Sequence, residues 1–408
     1  MKSLHVVAYE KFLPHIIDIS EEVNPGANRY IVCSVKGEIP LEIKKRVPVI
    51  YQNRSFRIGH QERKYIEWCE ALFLHPLNNN SAAAVEGISP DKVVVWCGMG
   101  QDFYRYSNVY REDLLQSLTK QEYKKAQLYK NVLMLWFPQI KKTLKSMFDD
   151  TKTNDAVKRV AHRVDFFCAQ DRHLNLQHVL TEFKATQIDN FGYYSLDGLV
   201  GSKIEVVSGS DILVGNSASW NNNHFDFFEK LKHLDLKGRK IILPLNYGSR
   251  SYAAAVERRA VQLFGSKSVI SLRNWMPIAE YNFILSRCGT VFMNHMRGQA
   301  MGTISSMLYR GARVYLHSRN AYCSFFEDLG VKFYKIPEGP LDASVFDPLG
   351  PEERRRNAKG ISDYWAWSEA KKRTKKLFSI VDEIAGQRKN NEDREKINSS
   401  LKKSWKAQ

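Results

Sequence analysis

The chain has 408 residues, 43% of them apolar and 12% aromatic, and a formal net charge of +17. That length exceeds one ordinary core, so two domains are expected, and the apolar content excludes a disordered chain. No apolar run approaches the roughly 20 residues that cross a bilayer, and the opening MKSLHVVAYE reads as a first strand rather than a signal peptide.

In chain order, short Val- and Ile-rich runs bounded by turn residues predict strands at 4–8, 29–34, 47–51 and 92–97. ERKYIEWCEALFL, at 62–74, reads as one helix, and a long helix is expected at about 120–148. RVDFFCAQDRHLNLQHVL, at 163–180, predicts strand, turn and helix, with Asp171 near the N-cap. The Gly- and Ser-rich stretch at 195–211 is the expected interdomain linker. Alternation then restarts, with strands at 212–215, 240–245, 268–272, 289–294 and 312–316. Helices at 224–234, 251–264, 277–288 and 302–310 separate them. A further helix at about 361–385 lines up Leu377, Val381 and Ile384, and 386–408 is basic, polar and expected to fray. Regular βα alternation implies doubly wound parallel sheets. The chain therefore divides into domains at 1–200 and 201–360, a helix at 361–385 and a flexible tail at 386–408.

Six cysteines, Cys33, Cys69, Cys97, Cys168, Cys288 and Cys323, form no CxxC pair or cluster with histidine. They read as reduced core thiols of a cytoplasmic protein, and no structural metal is expected. The basic excess gathers at 42–48, 352–360, 371–376 and the last twenty-odd residues. Such charge fits an anionic partner (nucleic acid, acidic membrane or phosphorylated substrate) or a solvated surface.

In open α/β sheets ligands bind at the carboxyl ends of strands. The loops expected there in the second domain are polar: Gly215-Asn216-Ser217 with Asn221-Asn222-Asn223-His224, then Asn246-Tyr247-Gly248-Ser249-Arg250, then MNHMRGQAMGT at 293–303. Gly302 and Thr303 fall where a helix begins, which offers free N–H groups and a positive dipole end to phosphate. Arg297 adds a charge, and Gly298 and Gly302 allow close backbone approach. An ordinary glycine-containing turn with an exposed arginine fits that loop alone equally well. Neither a Walker loop nor a dinucleotide fingerprint occurs. CGMGQD, at 97–102, puts Asp102 after a strand of the first domain, where it is either a general base or the cap of a turn.

Two α/β domains, a phosphate-suited rim on the second and a last helix able to return to the first make the GT-B layout. In it, two Rossmann-like domains face a central cleft, the second holding a nucleotide-sugar and the first an acceptor. The stretches ILVGNSASWNNNHFD, IILPLNYGSRSYAAAVERRAVQLFG and MPIAEYNFILSRCGTVFMNHMRGQAMGTISSMLYRGARVYL resemble the bacterial TDP-N-acetylfucosamine:lipid II N-acetylfucosaminyltransferases, glycosyltransferase family 56. Gly215, Asn216, Ser217, Asn222 or Asn223, and His224 match that family's LVGNS-x-x-x-x-N-x-H. Pro244 and Tyr247 match P-x-x-Y, and Arg297, Gln299, Gly302 and Thr303 match R-x-Q-x-x-GT. CGMGQDFY meets the family's W-G-A-D-L-Y-like segment at Asp102 and Tyr104 only with an extra residue. The likeness covers about 212–320, is weak over 1–90 and absent from the basic tail.

The resemblance implies a GT-B glycosyltransferase without metal or cofactor. Its donor would be a nucleotide-sugar, dTDP-linked N-acetylfucosamine (4-acetamido-4,6-dideoxygalactose) in the named reaction, and its acceptor a glycan on polyprenyl diphosphate. Arg297 and the N–H groups of Gly302–Ile304 would hold the diphosphate, Gly215, Asn216, Ser217 and His224 would line the donor side, and Asn246 and Tyr247 would meet nucleoside or sugar. Gln299 and the Asn222–Asn223 pair belong to the same donor-binding set, and Asp102 is the candidate base. The basic clusters would meet an anionic membrane on its cytoplasmic face. Two rivals are a nucleic-acid-binding protein, which the charge favours but no helix-turn-helix, zinc-finger or RNP-like signature supports, and a nucleotide-sugar epimerase of the same double layout.

Overall fold

The computed structural model describes residues 1–8, 12–34, 41–53, 57–100, 102–106, 114–136, 154–169, 176, 180–188, 191–193, 195–196 and 206–405. Asp171, the expected helix beyond residue 136 and the linker residues 197–205 lie outside them. The chain forms two compact units, one of Met1–Asn108, Asp149–Tyr193 and Ser368–Gln408, the other of Val109–Phe148 and Tyr194–Trp367.

The first unit is built on a parallel sheet of seven strands: β1 (Ser3–Val7), β2 (Asn28–Ser34), β3 (Val49–Asn53), β4 (Ala71–His75), β5 (Val93–Cys97), β6 (Phe166–Cys168) and β7 (Thr186–Ile188). Their order is β3-β2-β1-β4-β5-β6-β7. Every residue of β1, β4 and β5 is buried, as in parallel strands covered on both faces. This corrects the single helix expected at 62–74. The helix is His60–Trp68, and ALFLH becomes β4, between β1 and β5. A surface helix buries one stripe only, whereas these five residues are all enclosed. Leu72 and Leu74 join a core with Ile66, Val85, Val157 and Val160 from the helices on one face. Phe73 and His5 point to the other face, where Phe378 stacks at 4.9 Å and 6.2 Å, respectively.

Phe378 comes from the last helix. The expected 361–385 helix is in fact two, Pro351–Trp365 in the second unit and Trp367–Trp405, parted at Ala366. The latter packs on the first unit through Leu377, Phe378 and Val381 and continues to Trp405, through the stretch expected to fray. Lys, Glu, Arg and Gln, good helix formers, dominate that stretch. Arg388 holds it down, donating to the Lys92 carbonyl at 2.9 Å and to Asp165 at 3.1 Å.

The second unit carries β8 (Asp211–Val214), β9 (Ile241–Pro244), β10 (Val269–Leu272), β11 (Cys288–Met293), β12 (Arg313–Leu316) and β13 (Tyr334–Lys335). The order is β10-β9-β8-β11-β12-β13, again all parallel. Both sheets follow the 3-2-1-4-5-6 winding of dinucleotide-binding folds, with the reversal of strand order between β8 and β11 here. The helix Arg250–Phe264 buries Val256 and Ala260, while Ile278 at the start of the helix Ile278–Ser286 is exposed. All six cysteines are buried and free. Among the described residues no helix is long and apolar enough to cross a membrane.

The helix Ser117–Trp136 belongs to the second unit although it precedes the linker by some sixty residues. Its first turn has no acidic residue of its own. Asp226, from the helix His224–Leu231, caps it instead, accepting from Leu118 N at 2.8 Å and Thr119 N at 2.9 Å. These are two of the four N–H groups that a helix start leaves unpaired. We therefore expect Asp226→Ala to cost roughly 1 kcal/mol in urea unfolding and to speed amide exchange at Leu118 and Thr119. Unchanged exchange at those two amides would refute the cap.

Candidate functional site

The crevice at a strand-order reversal, outside the carboxyl ends of the strands, is where such sheets bind ligands. In the second unit it lies between β8 and β11, and the polar loops singled out in the sequence follow these strands directly.

The loop after β8 begins at Gly215, whose φ of +69° favours glycine. A Cβ there would stand 2.6 Å from His224 Nε2 and 3.1 Å from Asn222 Oδ1. Both requirements explain why a strand ends on glycine. The polar side chains that follow turn inward: Ser217, Asn222, Asn223 and His224 are buried. Asn222 donates to the Ser217 carbonyl at 2.9 Å and Ser217 Oγ at 3.2 Å, and accepts from Asn216 N at 3.3 Å. Asn223 takes the left-handed conformation, φ 52°. Its amide donates to the carbonyls of Leu114 at 3.0 Å and Asn294 at 3.1 Å and accepts from Gln116 N at 2.9 Å. One residue thus ties three chain segments together. His224 Nδ1 meets the Tyr252 hydroxyl at 3.0 Å.

The loop after β11 is Asn294 to Ala300. Asn294 bonds reciprocally with Gln116, Nδ2 to Oε1 at 3.0 Å. His295 is buried, with Nδ1 at 3.0 Å from the Arg297 carbonyl and 2.9 Å from Asn320 Nδ2. Arg297 Nε donates to Gln299 Oε1 at 2.7 Å. Gln299 Nε2 donates across to the β8 loop, to Asn216 Oδ1 at 3.1 Å and Asn222 Oδ1 at 3.3 Å. Ala300 sits at φ +61°, rare for a residue with a side chain. From it springs the helix Met301–Tyr309, whose N-cap makes no side-chain hydrogen bond. Ile304 N already closes on the Ala300 carbonyl at 2.9 Å. The first-turn N–H groups without a helical acceptor are therefore those of Met301, Gly302 and Thr303, one residue earlier than the sequence placed them.

The structure thus joins Asn216, Asn222, Arg297 and Gln299 in one hydrogen-bonded chain, beside Gly215 and at the start of the helix bearing Gly302 and Thr303. Asn246 and Tyr247 lie exposed on the β9 loop, which meets the β8 loop through backbone, Ala218 N to the Tyr247 carbonyl at 2.7 Å. Asp102 belongs to the other unit. It is buried, and its oxygens accept from the Trp96 indole at 2.6 Å and from Met99 N at 2.9 Å, holding the turn after β5. Sequence reasoning passed over Gln116, Asn294, Asp226 and Asn320. Asn294, directly at a strand's carboxyl end, was open to the same rule that found its neighbours. Gln116 carried no local signal, since its partners are 107 and 178 residues away. Among the described residues no three His, Cys, Asp or Glu side chains gather as metal ligands.

Residues 200–337 match the family model described as 4-alpha-L-fucosyltransferase, glycosyl transferase group 56. Among solved structures, sucrose-phosphate synthase from Thermosynechococcus elongatus is 9% identical over 93% of this chain and 99% of its own, with a TM-score of 0.57. The lipopolysaccharide outer core galactosyltransferase WaaB, apo form, is 9% identical over 92% and 99%, TM-score 0.52. Anabaena HepE in complex with UDP is 12% identical over 97% and 100%, TM-score 0.50. At these identities the likeness speaks for the fold, which is GT-B. Together with the family match it makes the chain a glycosyltransferase.

The electrostatics of the rim favour anions. The loops at 215–223, 245–249 and 294–300 hold no Asp or Glu. Burial pushes His224 and His295 from the usual 6.5 down to about 3, against the opposing pull of the Val214 and Arg297 backbone, respectively. Both rings stay neutral when folded. An unfolded chain takes up these protons below pH 6.5 and the native one does not, so stability is full above 6.5 and is lost as pH falls toward 3. Each ring contributes a slope of roughly 1.4 kcal/mol per pH unit within that window. Urea midpoints should fall from pH 6.5 to 5, and His295→Gln should flatten the slope. An unchanged slope in that variant would contradict a neutral buried ring.

Proposed function

We propose that the enzyme moves a sugar from a nucleotide-sugar to a glycan carried on polyprenyl diphosphate, and that the rim between β8 and β11 binds the donor's diphosphate. The observation that carries this is Arg297. It is fixed by a neutral amide, four residues ahead of a helix start with no side-chain cap, at the crevice where doubly wound sheets bind ligands. HepE, a protein of the same fold, is known in complex with UDP, which supports a nucleotide as part of the donor. The fucosyltransferase description of the matching family supports a 6-deoxy sugar, for which dTDP-linked N-acetylfucosamine is our candidate.

Glycosyl transfer breaks the bond between the anomeric carbon and the diphosphate oxygen, and negative charge develops on that oxygen. Arg297 and the N–H groups of Met301, Gly302 and Thr303 would stabilise it, with the helix dipole adding to the field. Tyr247, with its exposed ring beside the β8 loop, is the candidate contact for nucleoside or sugar. Ser217, Asn222, Asn223 and His224 enter this reading as the frame of the loop, because their side chains are buried. Asp102 enters as the anchor of the turn after β5, buried and accepting from Trp96 and Met99, and stays the candidate base of the first unit.

Purified protein should rise in melting temperature with one nucleoside diphosphate and its sugars, and the base preferred names the donor class. Arg297→Ala should lower turnover on the order of 100-fold while leaving the melting temperature of the free enzyme nearly unchanged. Near-normal turnover would remove Arg297 from the reaction.

A lipid-linked acceptor calls for a membrane surface. Lys371, Lys372, Lys375 and Lys376 are exposed along one helix, and anionic headgroups attract such residues by about 1 kcal/mol each. The protein should sediment with vesicles containing phosphatidylglycerol, less so at high salt and less after those four lysines become glutamine. Binding equal on neutral vesicles, or indifferent to salt, would speak against it.

A further inference from the structure

We infer that Gln299 is a positioning residue that aims Arg297, and that the asparagines after β8 exist to hold Gln299 in the one orientation that does so. The inference rests on the reading of Arg297 as a diphosphate ligand. A glutamine amide can be flipped, presenting either oxygen or nitrogen. Here the choice is fixed from one side. Asn222 is buried, and its nitrogen is spent on the Ser217 carbonyl at 2.9 Å and hydroxyl at 3.2 Å. Its oxygen must therefore face outward, where it accepts from Gln299 Nε2 at 3.3 Å, and Asn216 Oδ1 accepts from the same nitrogen at 3.1 Å. Two acceptors claim the nitrogen, so Oε1 faces Arg297 and accepts from Nε at 2.7 Å. Donors and acceptors run in one direction from Ser217 to the guanidinium, across both loops.

The chemistry of the partner matters. Arginines are usually fixed by carboxylates, and a carboxylate at 2.7 Å from Nε would cancel much of the charge offered to a phosphate. An amide orients the guanidinium through Nε without bringing a negative charge of its own. The same logic excludes Gln299 as a direct ligand, because its nitrogen and its oxygen are both engaged within the protein.

A double-mutant cycle tests this, with nucleoside diphosphate affinity read by calorimetry and kcat and KM measured for the donor. Arg297→Ala should weaken nucleoside diphosphate binding on the order of 100-fold, and Gln299→Ala roughly tenfold. The double variant should bind no more weakly than Arg297→Ala alone, since an unaimed side chain that is absent has nothing left to lose. Gln299→Glu should bind the diphosphate at least as poorly as Gln299→Ala, because it neutralises what it orients, and should also lower the free enzyme's melting temperature, because its carboxylate cannot donate to Asn216 and Asn222. A merely structural role would move stability and leave that difference in affinity out. Losses that multiply in the double variant would overturn the inference, showing that Gln299 meets the ligand itself, as would normal affinity in Gln299→Glu. If Arg297→Ala alone leaves binding intact, the diphosphate reading fails, and that result is distinct from additivity between the two positions.

Discussion

The rim of the second unit is tied together by buried amide side chains that bond from loop to loop. An amide left unsatisfied away from water costs about 1–3 kcal/mol, so each pairing fixes a loop, although Asn221 Oδ1 in the same stretch is buried without one. Asn222 closes the β8 loop on itself and reaches Gln299. Asn223 reaches the carbonyls of Leu114 and Asn294. Asn294 reaches Gln116. Neutral amides donate and accept at once, so a few of them connect several loops without importing charge.

That economy in charge suits the fold. Doubly wound sheets gather the carboxyl ends of their strands on one edge and leave a crevice where the strand order reverses. The backbone N–H groups at the start of Met301–Tyr309 and the guanidinium of Arg297 supply positive potential there. A carboxylate in the loops would offset it, and the loops at 215–223, 245–249 and 294–300 have none. The histidines nearest the site are kept neutral by burial, so they add no repulsion to one another or to Arg297.

Much of the architecture was legible because parallel strands announce themselves as short, wholly apolar runs separated by helical periods. The second unit read almost strand for strand. ALFLH was absorbed into the preceding helix because an apolar run of five carries no period that separates helix from strand. The last helix does return to the first unit, as Ser368–Gln408, but the membership of Val109–Phe148 in the second was not legible, because only packing reveals which core a helix serves. Of the candidate site, residue type and position after a strand singled out Gly215, Asn216, Arg297 and Gln299, which the structure brings together. Type alone did not reveal which way a side chain points: Asn222, Asn223 and His224 were in the same expected set, and their side chains are buried.

The stretch ILVGNSASWNNNHFD shows the distinction at its sharpest. Its glycine is needed because the backbone turns left-handed where His224 Nε2 lies within 2.6 Å of any added Cβ. Asn222 and Asn223 are needed because buried backbone carbonyls, of Ser217, Leu114 and Asn294, must find donors. Asn223 also accepts from the backbone of Gln116, at the foot of the helix that Asp226 caps. The positions of Arg297 and of that helix therefore answer to the same few hydrogen bonds. A substitution in the β8 loop reaches the charge on the β11 loop without touching it, and for that reason loss of activity alone cannot identify a ligand here. Coupling between positions can.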